Sequence, residues 1–153
     1  MGALVLKKKE DDNRLIVVEA SAINTMHSFR QIRSTAHEAG GVIIGERRGD
    51  SFIVKEVTIP SPKDISSRFQ FVRQDHHHQS RIIDANKSSG GTYNYLGEWH
   101  THPEKHPTPS QIDLDNWRHC LRNHTPCLVA IIGIKSDWMA VFERGEFFEL
   151  EKV

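Results

Sequence analysis

GEWHTHPEKHPTPSQID, residues 97–113, is the stretch on which the reading of this chain turns. Its first half alternates as a strand does and stops at Pro103, and its second half opens a helix at Ser110. Successive strand side chains point to opposite faces, so His100 and His102 share a face and can share one cation. Neutral imidazole is a favoured Zn2+ ligand. With 10 histidines among 153 residues, however, a His-x-His pair is weak evidence by itself. A third ligand is needed, and Asp113 is the best placed, because Pro107, Pro109 and Ser110 turn the chain so that the first helical turn comes back toward the strand end. Two imidazoles and a carboxylate leave a fourth tetrahedral position for water, the pattern of a catalytic rather than a structural zinc. Ser110 with an acid three residues later is also a helix-capping pattern, and taken alone that plainer reading is favoured.

A hydrolytic zinc site needs a general base for its water. Three glutamates compete. Glu98 lies on the same strand face as the two histidines, where it can serve as base or as partner to an imidazole N–H. Glu46 ends a strand beside Arg47 and Arg48, where a solvated ion pair is the plain reading. Glu38 falls at the C-terminus of an expected helix, where the macrodipole disfavours an anion. Spacing does not choose among them.

Outward from this stretch, the pattern is that of an α/β domain. Residues 15–19, LIVVE, read as a short strand. Ala22, Met26, Phe29, Ile32 and Ala36 mark one face of a helix that Ser21 caps and Gly40-Gly41 ends. GGVIIGE and SFIVKEVTIP form a hairpin turning at Arg48-Gly49-Asp50, and Pro60 and Pro62 close it. Residues 61–93 read as polar and irregular, with one helix around Asp75 to Lys87 and a flexible SSGG at 88–91. NYLGEWHTH is the next strand, and Ile112, Leu114, Trp117 and Leu121 make a helix of Ser110 to Asn123. CLVAIIGI is a buried strand, and WMAVFERGEFFELE a closing hairpin that turns at Arg144-Gly145-Glu146. The expected whole is one domain, residues 1–153, with a mixed central sheet.

Composition narrows the function. Twenty Lys+Arg balance 20 Asp+Glu, so the formal net charge is zero and no basic stripe marks a nucleic-acid binder. The apolar run Ala3 to Leu6 is far too short for a signal peptide or a membrane span, which leads us to expect a soluble, cytoplasmic protein. Cys120 and Cys127 are the only cysteines. They fit a reduced pair, one on a helix and one on a strand, better than a nucleophile or a Cys-built metal site.

Glu38-Ala39-Gly40-Gly41-Val42-Ile43-Ile44-Gly45, followed far downstream by His100-Thr101-His102-Pro103, Ser110 and Asp113, resembles the JAMM motif of the JAB/MPN metallopeptidases. Tyr95-Leu96-Gly97-Glu98-Trp99 is similar to the compact prokaryotic JAB branch, and the resemblance covers roughly residues 15–150. It implies a cytidine-deaminase-like fold, a curved mixed β-sheet flanked by helices. It also implies one catalytic Zn2+ on His100, His102 and Asp113, with Glu38 as general base and Ser110 steadying the oxyanion. The contest among glutamates is thereby decided for Glu38, and Glu98 occupies a position where many family members carry an aromatic residue.

Family enzymes of this kind cleave the isopeptide or peptide bond after the C-terminus of a ubiquitin-like modifier, whose tail is expected to lie extended along a sheet edge. Stand-alone chains of this size resemble the deconjugating peptidases of bacterial CBASS antiphage operons. Those enzymes free a cGAS-like nucleotidyltransferase joined by its C-terminus to target proteins. The rivals are a peptidase for a sulfur-carrier precursor, a ligand-depleted MPN scaffold, and a purely structural zinc domain. All five motif positions are occupied, which argues against the second, and the open fourth position argues against the third.

Other features are discounted. His76-His77-His78 cannot all face one ion on a regular element and read as a solvated surface. His106 reads as exposed. Trp99 should face the core, opposite His100. Trp117, four residues after Asp113, is placed to pack under the metal loop, and Arg47 and Arg48 are candidates for an acidic partner.

Overall fold

Eight strands of the chain close on themselves. The computed structural model describes residues 1–9 and 13–153. Strands β1 (Leu4–Lys8) and β2 (Leu15–Val18) precede α1 (Ala20–His27) and the hairpin β3 (Gly40–Arg48), β4 (Ser51–Val57). A small pair, β5 (Ile65–Ser67) and β6 (Gln70–Val72), leads to α2 (His77–Ser88), β7 (Tyr93–Thr101) and α3 (Gln111–Leu121). Strands β8 (Cys127–Ile132), β9 (Asp137–Glu143) and β10 (Glu146–Lys152) follow. The barrel order is β1-β10-β9-β8-β7-β3-β4-β2, with β2–β4 and β7–β8 parallel.

The sheet is mixed and flanked by helices, as expected, and its curvature goes as far as closing it into a barrel, which the expectation of a curved sheet did not include. The closing element is β1, in the segment read only as too short for a signal. It pairs with β10 on one side and β2 on the other, and its alternation buries Leu4 and Leu6. Inward-facing Lys8 is matched by Glu143 at 2.7 Å.

Strand β8 explains its own sequence. Leu128, Ala130 and Ile132 join the interior packed by Ala22, Ile23 and Met26 of α1. Val129 and Ile131 face Trp117 and Leu121 of α3. A strand covered on both sides reads as an unbroken apolar run, as CLVAII does. The GGVIIGE hairpin, the α2 and α3 helices, and the closing hairpin all form where the sequence pattern puts them.

Three expectations are corrected. Helix α1 ends at His27, not near Gly40, and Glu19 rather than Ser21 occupies its N-cap. Tertiary contacts stop it: Phe29 packs on Trp99, ring centroids 5.9 Å apart, and Gln31 turns fully inward. Ile32, which the helical spacing counted as apolar-face, is 73% exposed. Residues 61–75, read as irregular, contain the β5–β6 hairpin, whose feet Asp64 staples together. Its Oδ1 accepts from the Gln74 and Asp75 amides (2.7 and 2.8 Å), and its Oδ2 accepts from Ser61 N–H and pairs with His78 Nε2 (3.0 and 2.9 Å).

His78 is therefore not solvated as expected. It is fully buried, with Nδ1 bonded to Thr58 Oγ1, which in turn accepts the Val42 amide of β3 at 2.8 Å. Burial of Asp64 favours its neutral form, but the backbone and His78 hydrogen bonds outweigh it and hold the carboxyl below the usual carboxylate range. Burial lowers the His78 pKa despite the attraction of Asp64.

Gly97 allows β7 to lie against β8. Its φ is +156°, and a Cβ there would come within 1.7 Å of the Leu128 carbonyl oxygen. The β3–β7 register shifts at Ile43/Ile44, opposite Gly97. Gly97→Ala should therefore lower the urea midpoint by the equivalent of roughly 2–4 kcal/mol. A second expectation concerns pH. The folded-state pKa of His78 lies below its unfolded value of 6.5. Its neutral form thus contributes stability above that value, and the contribution is lost as pH falls through the folded pKa. In urea unfolding between about pH 7 and pH 5, wild type should lose more stability than His78→Gln.

Candidate metal centre

The antiparallel register sets Gly40 of β3 opposite His100 of β7. Residues two before the one and two after the other, Glu38 and His102, are thereby brought side by side. On β7, Trp99 points into the core at 1% exposure, its Nε1–H donating to Thr58 O at 2.9 Å. His100 takes the outer face, where Trp117 packs against its ring at 5.5 Å, as the spacing to Asp113 suggested.

Ser110 and Asp113 form a complete capping box on α3: Ser110 Oγ accepts from Asp113 N (3.1 Å), and Asp113 Oδ2 accepts from Ser110 N (2.8 Å). The same carboxylate also reaches the histidines. Asp113 Oδ1 lies 3.3 Å from His100 Nε2, Oδ2 lies 3.1 Å from His102 Nε2, and the two imidazole nitrogens are 3.2 Å apart. Capping and ligation, weighed as alternatives on the sequence, are compatible for one side chain.

This donor set fits a tetrahedral cation. The two imidazole nitrogens, 3.2 Å apart, match the edge of about 3.3–3.4 Å expected between ligands 2.0–2.1 Å from Zn2+, and each faces a different oxygen of Asp113, His100 meeting Oδ1 and His102 meeting Oδ2. His102 Nδ1 lies 2.7 Å from Glu104 Oε1; a carboxylate accepts, so Nδ1–H donates to it, and Nε2 is the nitrogen turned toward His100 and Asp113. Sequence reasoning sought such a partner in Glu98 and missed Glu104. The signal was available, since a loop carboxylate two residues after a ligating histidine can fold back on its ring.

Glu98 is engaged elsewhere. Arg73 Nη2 bonds its Oε1 at 2.7 Å, and Tyr95 OH donates to the same oxygen at 3.0 Å, which clamps the exit of the β5–β6 hairpin to β7. Glu46 forms the expected ion pair with Arg48. Arg47 instead bonds the Pro126 carbonyl.

Glu38 is the glutamate at the donors. It is 7% exposed, and its carboxylate oxygen and the ring nitrogens of His100 and His102 lie within 4.8 Å of one another. Burial pushes its carboxyl up to about 7, with His102 opposing and Asp113 and Glu104 adding. For His102, burial lowers the pKa, but Asp113 and Glu104 outweigh it and lift it to about 9. For Asp113, burial is outweighed by the hydrogen bonds of His100 and His102, which hold it well below the carboxylate range.

The backbone of Glu38 is fixed by the hairpin: its N–H donates to Ser67 O at 2.7 Å, and its carbonyl accepts from Ser66 Oγ at 2.5 Å. A cleft of about 690 Å³ runs between that hairpin and α3, lined by Phe69, Phe71, Glu38, His102, Ser110 and Ile112 among others.

The remaining sequence candidates fall outside this centre. His106 is exposed and bonds Ser136 Oγ. Asp64, His77 and His78 form a second gathering of donor atoms within 4.8 Å, but both His78 nitrogens and both Asp64 oxygens already have protein partners. Cys120 and Cys127 are free thiols, and burial pushes Cys127 up to about 12, which leaves it unreactive.

A family model described as prokaryotic homologs of the JAB domain matches residues 19–145. A Vibrio cholerae protein named CD-NTase/cGAS isopeptidase is 38% identical over 153 residues, covering 100% of this chain and 98% of that one. An Escherichia coli protein of the same name is 34% identical over 143 residues, covering 94% and 92%. A solution structure of a Desulfitobacterium hafniense protein superposes with a TM-score of 0.61 at 21% identity, covering 86% of this chain and 87% of that one, a likeness of fold.

The geometry makes Glu104 testable. Glu104→Gln weakens the acceptor on His102 Nδ1, and affinity for Zn2+ in competition with a chromophoric chelator should fall roughly 10- to 100-fold. Glu98→Gln, which alters only the Arg73–Tyr95 clamp, should leave that affinity unchanged.

Proposed function

The chain belongs to the prokaryotic JAB-domain family, and on that footing we propose that it is a zinc-dependent isopeptidase. It frees a cGAS-like nucleotidyltransferase conjugated through its C-terminus to other proteins, in the cytoplasm, as part of a CBASS antiphage system. The observation that carries the reading is the gathering of the His100 and His102 Nε2 atoms, 3.2 Å apart, with one Asp113 oxygen 3.3 Å from the first and the other 3.1 Å from the second, and with the buried Glu38 carboxylate beside them. The names of the similar proteins support the choice of substrate.

His100 Nε2, His102 Nε2 and Asp113 would hold the zinc. Bound there, the ion supplies Lewis-acid polarisation of the scissile carbonyl and makes water acidic enough to react near neutral pH. The conjugate's C-terminal tail lies extended in the cleft against β6, whose residues Gln70 to Val72 front it, in the manner of strand addition. Glu38 takes a proton from the attacking water at its carboxylate oxygen. As the C–N bond breaks, Glu38 returns that proton to the departing lysine amine, which is a poor leaving group without it. Ser110 Oγ accepts the Asp113 amide, so its own O–H is available to donate to the oxyanion. The products are the free C-terminal carboxylate and the lysine side chain.

Purified protein incubated with a nucleotidyltransferase–target conjugate should release both proteins, and a chelator should stop the release. Metal analysis should find about one zinc per chain, lost in His102→Ala. Glu38→Gln should retain zinc and fold while cleavage falls at least 100-fold. Cleavage indifferent to chelator, or a fully active Glu38→Gln, would refute the mechanism.

A further inference from the structure

Gln31 is a long polar side chain with no exposed surface, sitting in a loop where an apolar residue could fill the same space. Its bonds run to three segments. Nε2 donates to Ala36 O at 3.2 Å and to Arg68 O at 2.9 Å, and Oε1 accepts from Thr101 Oγ1 at 2.7 Å. Thr101 stands between His100 and His102 and is itself fully buried. Its hydroxyl accepts the Ala39 amide at 2.9 Å, and its own amide donates to Ala39 O at 2.9 Å. Ala39 is the neighbour of Glu38.

Arg68 belongs to the β5–β6 turn, and Ser66 and Ser67 of that hairpin bond both backbone polar groups of Glu38. The loop leading to Glu38, the strand carrying the histidines and the wall of the cleft therefore meet on one amide. Gln31 does not line the cleft. It can act on the reaction only through what it holds.

We propose that Gln31 is a positioning residue: through Thr101 and the β5–β6 turn it fixes the Glu38 carboxylate relative to the His100 and His102 nitrogens. A buried network of this kind specifies one arrangement where apolar packing would admit several. A base displaced by a fraction of an ångström loses rate without losing substrate. The proposal rests on Glu38 being the base.

The test is Gln31→Met, which keeps length and volume and removes all three bonds, alongside Thr101→Val, which cuts the link at its other end. Both should lower kcat roughly 10- to 100-fold with KM within about twofold of wild type. Zinc content should be unchanged. The double variant should be slowed by less than the product of the two single effects, since both variants cut the shared Gln31–Thr101 bond. Independently of turnover, amide hydrogen exchange of the metal-free Gln31→Met chain should be faster at Ala39 and near Arg68. Should Gln31→Met not fold, Thr101→Val carries the same expectations.

Wild-type kcat in a folded variant would overturn the proposal, as would a loss of kcat matched by loss of zinc or of folded protein. If Glu38→Gln is itself fully active, the reading of the base has failed. If Glu38→Gln is inactive and both Gln31→Met and Thr101→Val turn over normally, only the positioning role has failed.

Discussion

The pairing of β3 with β7 is the contact on which the centre depends. Gly40 opposite His100 and Gly41 opposite Trp99 bring together two segments sixty residues apart. The register also explains the two glycines. A Cβ at Gly40 would come within 2.7 Å of the Phe71 ring and the Trp99 carbonyl oxygen, and one at Gly41 within 2.2 Å of the Thr58 carbonyl oxygen. A strand with side chains there would stand off from both neighbours, and Glu38 would no longer reach the histidines.

Around that contact, structural and chemical roles are combined in single side chains. The Asp113 carboxylate closes the N-terminus of α3, where the helix dipole favours an anion, and presents its oxygens to two imidazoles. Thr101 joins β7 to the segment before β3 while its neighbours on either side are the proposed metal ligands. The β5–β6 hairpin forms one wall of the cleft and holds the backbone of the proposed base. In each case a group that the proposed chemistry needs rigid is held by bonds that the fold makes anyway.

The β5–β6 hairpin also shows why part of the fold was not legible. Its strands are three residues each, too short for an alternation to register, and Asp64 rather than apolar patterning defines its base. The loop after α1 carried a helical period, but Gln31 and Phe29 are drawn to β7 and the period is accidental. His78 looked like surface because three histidines adjoin; a buried acid on another segment makes it core. Closure of the barrel depends on a five-residue strand whose meaning comes only from its two partners.

Local spacing by itself determined the strand that carries His100 and His102, the helix that Ser110 caps, the residue types able to hold a cation, and, through the joint motif, the family. Those features rest on alternation and on helical period, which act over a few residues. Tertiary structure alone decided that Glu104 is the carboxylate on His102, that Glu98 is a clamp, that Asp113 can cap and face both imidazoles at once, and that Gln31 ties the parts together. Those outcomes depend on strand register and on buried partners far apart in sequence, and no window of residues contains either.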